Sequence, residues 1–322
     1  MLMSWLAVLG GFALLVWSAE RFVMGASALA RDLGVSPLVI GMTIMGFGTS
    51  APEMLVSGIA AANGNPAMGI GNALGSNIAN IGLVLGATAL IMPMAVGSRI
   101  LRREYPVLFA ITLLAGLLML DGELGRLDGA ILAMGTLVLV SWLIWVGKHP
   151  RDTDPLLTEF ETEIPTGISV PRALFWTLLG LVILVLSSRL LVWGAVGIAR
   201  DLGVSDLVIG LTIIAIGTSL PELAASVMSA LKKEHDMAIG NIIGSNMFNL
   251  LAVLALPGLI HPGILEHAVL QRDYPAVVTF TIALFIIAYG FKGPGRINRL
   301  EGAMLLSGFA AYMTWLGLTG LS

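Results

Sequence analysis

The chain has 322 residues, 57% of them hydrophobic and only 11% charged, with a formal net charge of −3. Soluble proteins carry roughly 25% charged residues, so a water-soluble enzyme, a disordered chain and a nucleic-acid binder are excluded, and a polytopic membrane protein is expected. No cysteine is present, which removes disulfides, thiolate metal sites and cysteine nucleophiles.

A bilayer span takes about 20 apolar residues. The apolar runs place ten spans, roughly 4–29, 37–62, 67–96, 104–120, 127–147, 172–198, 206–231, 237–260, 274–291 and 299–319. The first begins at Met1 without a cationic leader and runs past signal-peptide length, so a retained helix is expected. Between spans 5 and 6 lies a polar stretch, 148–171, with Pro150, Pro155, Pro165 and Pro171. It reads as a linker joining two halves, 1–147 and 172–322. Loops after the odd-numbered spans hold twelve Lys and Arg residues, and the opposite side holds three: Arg126, Arg200 and Arg272. Positive charge stays in the cytoplasm, so both termini are expected on the outer face of the plasma (inner) membrane. Glu20, near the cytoplasmic end of span 1, is expected to pair with its neighbour Arg21.

The halves repeat one another at an offset of 169 residues. Arg31-Asp32-Leu33-Gly34-Val35-Ser36 returns as Arg200-Asp201-Leu202-Gly203-Val204-Ser205. Gly48-Thr49-Ser50-Ala51-Pro52-Glu53 returns as Gly217-Thr218-Ser219-Leu220-Pro221-Glu222. Gly71-Asn72, Gly75-Ser76-Asn77 and Asn80 return as Gly240-Asn241, Gly244-Ser245-Asn246 and Asn249. Arg103-Glu104-Tyr105-Pro106 returns as Arg272-Asp273-Tyr274-Pro275. Five spans per copy is an odd number, so the second copy enters the membrane upside down. Inverted repeats of this kind build transporters whose site lies at the midplane.

Glu53 and Glu222 fall near the middle of spans 2 and 7. A carboxylate there costs several kcal/mol unless it is paired, protonated or hydrated. No Lys, Arg or His lies inside the neighbouring spans, so a cation from solution is the expected partner; the bland alternative is a protonated Glu bonded to a neighbouring helix. Pro52 and Pro221 lack an N–H and crowd the carbonyls of Gly48 and Gly217, which predicts broken helices with free carbonyl oxygens. Gly46, Ser50, Glu53 and Ser57 share one helix face, with Thr49 one turn before the Glu. The copy offers Thr218, Ser219, Glu222 and Ser226. Asn72, Ser76 and Asn80 form a second row at four-residue spacing, as do Asn241, Ser245 and Asn249. Asn77 and Asn246 point elsewhere, toward bonds across helices. About half of these amides and hydroxyls are expected to tie helices together instead, and Gly71-x-x-x-Gly75 and Gly82-x-x-x-Gly86 are read as packing patterns. An all-oxygen donor set suits a hard cation such as Ca²⁺, which takes 6–8 oxygens; zinc, copper and iron favour His or Cys. The linker acids Asp152, Asp154, Glu159, Glu161 and Glu163 lack the spacing of a Ca²⁺ loop and read as a solvated face.

The paired G-T-S-x-P-E and G-N-x-x-G-S-N-x-x-N segments resemble the two α-repeats of the cation/calcium exchanger superfamily, and most of all its short prokaryotic sodium/calcium exchangers. The resemblance implies Na⁺/Ca²⁺ antiport by alternating access, with no enzymatic activity and no cofactor besides the transported ions. Carried over by position, it makes Glu53 and Glu222 the central Ca²⁺ ligands. Thr49, Ser50, Thr218 and Ser219 would join them, with backbone carbonyls such as those of Gly46 and Ala215. Ser76, Asn80, Ser245 and Asn249 would line the same cavity, beside Asn72 and Asn241. Both Asn80 and Asn249 are amides where several exchangers carry one Asp, which bears on ion stoichiometry and K⁺ dependence. Family likeness also suggests that spans 1 and 6 slide as a pair, with Gly25 and Gly194 allowing close contact. A Ca²⁺/H⁺ antiporter is the main rival, although such exchangers typically carry G-N-x-x-E in place of G-T-S-x-P-E. A cation channel is a further alternative, and an intramembrane hydrolase using the two Glu is disfavoured because the core holds no His, Cys or HExxH motif. The expected partners are Na⁺, Ca²⁺ and the lipid bilayer, without nucleic acid, and the expected state is a monomer.

Overall fold

The computed structural model describes residues 1–97, 103–148, 169–202, 215–289 and 295–319. The chain is mostly helical, as hydrocarbon demands, because a helix satisfies its own N–H and C=O groups. The helices are α1 (Leu2–Asp32), α2 (Pro37–Ala62), α3 (Pro66–Ile91), α4 (Tyr105–Met119), α5 (Arg126–Lys148), α6 (Val170–Asp201), α7 (Leu220–Leu231), α8 (His235–Ile260), α9 (Val269–Ala288) and α10 (Arg299–Thr319). Their starts follow local chemistry. Ser36 Oγ accepts from the Val39 N–H and Asn65 Oδ1 from the Met68 N–H, and Pro37 and Pro66 take the first helical position. Gly64, at φ +78°, turns the chain between α2 and α3.

Seven helices are long and apolar enough to cross a membrane (α1, α2, α3, α5, α6, α8 and α9); α4 and α7 are shorter. Span 7 is described only from the short helical turn Ala215–Thr218 onward, and residues 203–214 lie outside the described residues. The linker acids also lie outside them. Span 3 ends at Ile91, five residues short of the predicted limit, because Met94–Val96 forms a strand, β1. The chain is therefore not wholly helical. β1 pairs antiparallel with β4 (Gly295–Ile297), and β2 (Glu123–Leu124) pairs antiparallel with β3 (Gly263–Ile264).

Contacts between the halves are reciprocal under the 169-residue offset. The Tyr105 hydroxyl donates to the Thr281 carbonyl (3.0 Å), and the Tyr274 hydroxyl to the Thr112 carbonyl (2.9 Å). β1 and β3 correspond at that offset, and each pairs with a strand of the other half. α1 and α6 run antiparallel and touch through glycines: Gly25 meets Ala173 and Thr177, and Gly194 meets Ser4 and Val8. Gly11 lies against Leu191, and Gly180 against Phe22. At these positions each half gives the other what it receives. One apolar core, including Leu74, Ile78, Leu108, Met247, Phe248 and Leu284, draws on both halves. α8 is its centre, with 83% of its apolar window buried, against 22% for α6, whose outer face is left to lipid.

Two expectations are corrected here. Glu20 pairs with Lys232 (3.6 Å) rather than Arg21, because the Arg21 guanidinium is turned onto the Trp17 and Trp176 rings and Lys232, just past the end of α7, reaches the carboxylate. Gly82 and Gly86 do pack closely, against Phe309, Gly302 and Leu306, but Gly71 is exposed and is no packing residue.

Candidate cation site

Two breaks position the site. The helix of α2 is interrupted at Ser50 (φ −81°, ψ −3°), and the segment entering α7 at Ser219 (φ −89°, ψ 4°). Both residues sit in the sparsely used bridge region. Pro52 and Pro221 follow at the start of the next helical stretch, where the missing N–H is not needed. Glu53 and Glu222 consequently stand in the first turn of a helix, where the helix dipole favours negative charge. α2 also carries a π-helical turn, Gly41–Met45, just before Gly46–Thr49, and α3 and α8 carry equivalent turns at Asn80–Leu85 and Asn249–Val253. Such turns inside helices recur at functional sites.

Glycines bring the repeats together. A Cβ on Gly46 would lie 2.9 Å from the Ser245 nitrogen, one on Gly244 2.5 Å from the Met42 carbonyl oxygen, and one on Gly240 2.5 Å from that of Leu38. α2 and α8 therefore meet backbone to backbone. Thr49 Oγ1 lies 3.3 Å from both Asn241 Oδ1 and Ser245 Oγ, and 3.0 Å from the Met45 carbonyl. Ser245 Oγ donates to the Gly46 carbonyl (3.3 Å). Within each repeat one amide clamps the broken helix. Asn72 Nδ2 donates to the Glu53 carbonyl (3.1 Å) and Ser57 Oγ (2.9 Å); Asn241 Nδ2 donates to the Glu222 carbonyl (3.4 Å) and Ser226 Oγ (2.9 Å). Ser57 also donates to the Gly69 carbonyl (3.0 Å).

The carboxylates are fully enclosed, Glu53 at 1% and Glu222 at 0% exposure. They lie within electrostatic reach of each other. No ion pair reaches either among the described residues. Seven buried side-chain oxygens on these two repeated segments have no hydrogen-bond partner: Glu53 Oε2, both Glu222 carboxylate oxygens, Ser50 Oγ, Ser219 Oγ, Asn80 Oδ1 and Asn249 Oδ1. Polar atoms this deep are normally satisfied; the orphaned oxygens, two acids among them, suit a hard cation, and the Asn246 and Asn249 Nδ2 atoms are left without a partner beside them. Thr218 is half-buried where Thr49 is buried, and Ala215 opens the turn equivalent to Gly46–Thr49. Ser76 is buried at 5% exposure.

Sequence reasoning missed the role of Ser57 and Ser226 as clamp partners and of Gly240 and Gly244 as contact points. The repetition of all four was the available signal. Access is unequal: Gly71 is exposed, Asn72 and Gly75 are half-buried, and their counterparts Gly240, Asn241 and Gly244 are buried. An apolar groove of about 490 Å³ between α2, α5 and α8 holds no charged residue and lies on the far side of α2 from the acids, lined by Leu55 and Ile59.

Residues 3–145 and 172–318 match the family described as Sodium/calcium exchanger protein, one segment per half. CaxA of Alkalimonas amylolytica is 50% identical over 312 residues, covering 97% of this chain and 98% of that protein. Inner membrane protein YrbG of Escherichia coli K12 is 39% identical over 321 residues, covering 98% and 97%. The solved sodium-calcium exchanger NCX_Mj, soaked with Na⁺ and Ca²⁺, superposes with a TM-score of 0.84 at 31% identity, covering 98% of each chain. The duplicated halves, the buried acids without counter-ions and these full-length likenesses agree: this integral membrane protein belongs to the sodium/calcium exchanger family.

Proposed function

We propose that the protein exchanges Na⁺ for Ca²⁺ by alternating access through one shared site. The carrying observation is the pair Glu53 and Glu222, buried at equivalent positions with no ion pair to either among the described residues. Two carboxylates balance one Ca²⁺ or two Na⁺, and a third Na⁺ leaves net positive charge. Shared ligands make the ions compete, so the loaded site carries either Ca²⁺ or Na⁺. The ligands in this reading are Glu53, Glu222, Ser50, Ser219, Asn80 and Asn249, supported by Thr49, Thr218, Ser76, Ser245, Asn72, Asn241 and the Gly46 and Ala215 carbonyls.

In this reading ten helices form two inverted five-helix units, 1–147 and 172–322, joined by a cytoplasmic linker, with both termini outside. The antiparallel pairing of the equivalent helices α1 and α6 supports it. The exposed Gly71 and half-buried Asn72 lie near the 63–65 turn, which the charge count places outside. In this reading the less covered first-repeat row lies toward the outer face, while both acids are enclosed.

The test is Na⁺-gradient-driven ⁴⁵Ca uptake in reconstituted vesicles, run beside an imposed pH gradient. Uptake should follow the Na⁺ gradient and be abolished by Glu53→Gln or Glu222→Gln. Retained uptake in both variants would falsify the ligand assignment. Uptake driven by pH alone favours proton coupling, and uptake indifferent to any counter-gradient favours a channel.

A further inference from the structure

The two repeats carry the same pair of asparagines on the same helix, yet the pairs are bonded differently. In the first repeat Asn80 Nδ2 donates to Asn246 Oδ1 of the second (3.1 Å), with both side chains buried. The mirrored bond, Asn249 to Asn77, is not made. Asn77 Nδ2 instead donates to the Ala73 carbonyl of its own helix (2.8 Å), and both amide atoms of Asn249 are without a partner at 0% exposure. The other reciprocal contacts between halves, Tyr105–Thr281 against Tyr274–Thr112 and β1–β4 against β2–β3, are made twice. Here the internal two-fold is broken, next to the acids.

The bond has a chemical consequence. An amide presents a nitrogen or an oxygen, and only the oxygen ligates a hard cation. With Nδ2 held by Asn246, Asn80 leaves its buried Oδ1 free. Asn249 has no such hold, so its amide is not oriented.

We propose that Asn246 and Asn77 are positioning residues that act in turn. Asn246 orients Asn80 as an oxygen ligand in the conformation described; in the oppositely facing one, Asn77 leaves the Ala73 carbonyl and orients Asn249. An inverted pair of repeats reaches its second conformation by exchanging the roles of its halves, which predicts the exchange of this bond. Neither residue touches the ion. The inference rests on the alternating-access reading above, and the sidedness of the conformation on its topology.

The test is the half-saturating Ca²⁺ concentration for exchange, measured separately at the outer and cytoplasmic faces of oriented vesicles. Asn246→Leu should raise it about tenfold at the outer face and less than about twofold at the cytoplasmic face; Asn77→Leu should do the reverse. Asn80→Asp offers an oxygen in either orientation, so Asn246→Leu should cost little in that background. Equal shifts at both faces, no shift, or undiminished cost in the Asn80→Asp background would overturn the proposal. Asn246→Ala gives the same comparison if the leucine variant does not accumulate in the membrane. The measurement works with whichever counter-ion drives Ca²⁺, so a failure of Na⁺ coupling is a separate outcome.

Discussion

Ser57 does two jobs with one hydroxyl. It donates to the Gly69 carbonyl and accepts from Asn72, whose nitrogen also holds the Glu53 carbonyl. Ser57→Ala should leave a buried carbonyl and an amide hydrogen unpaired, at a cost of about 1–3 kcal/mol. Thermal unfolding in detergent should show the loss, and Ser226→Ala should cost a similar amount through Asn241. Ca²⁺ transport should weaken several-fold without vanishing, because the carboxylates stay. At this scale the acids were legible in the sequence, since a midplane carboxylate is too expensive to be incidental. The amides were legible only as positions. Four-residue spacing put Asn72 and Asn241 on the right face, but spacing does not say which end of an amide faces the cavity. In the structure both nitrogens are committed to the clamp.

Among the elements, α1 and α6 pack closely along their length, and glycine sets their separation. A Cβ at Gly25 would come within 2.6 Å of the Thr177 nitrogen and 2.7 Å of the Ala173 carbonyl, backbone atoms that cannot move aside. Gly25→Leu should push the pair apart, at a cost of about 1–3 kcal/mol. Exchange should fall at least tenfold while equilibrium Ca²⁺ binding, measured by calorimetry on purified protein, stays near wild type. Loss of both together would mean that the pair shapes the site itself. The helices were readable from apolar runs and from Pro, Ser and Asn at their starts. The ribbons were not. Met94–Val96 continues an apolar run, and its strand partner lies some 200 residues away in the chain. The π turns at Asn80 and Asn249 carry no local composition signal either.

For the whole molecule, topology is the first thing to check. The chain has no cysteine, so single cysteines can be read without altering the background. Asn63→Cys, in the exposed turn between α2 and α3, should react with a membrane-impermeant maleimide on intact cells. Lys233→Cys, between α7 and α8, should react only after permeabilisation. The opposite pattern would invert the orientation and leave the fold untouched. The repeat was legible in the sequence as an offset of 169 residues. Its physical content was not, because a repeat says that two segments are alike and not that they grip each other. The Tyr–Thr bonds supply that content. Each half offers a tyrosine hydroxyl and receives one at the carbonyl of the matching threonine. A contact of that kind closes on itself. At these two bonds the surface that one half presents is the surface that it needs from the other, so removing either tyrosine hydroxyl costs each half a contact of the same kind.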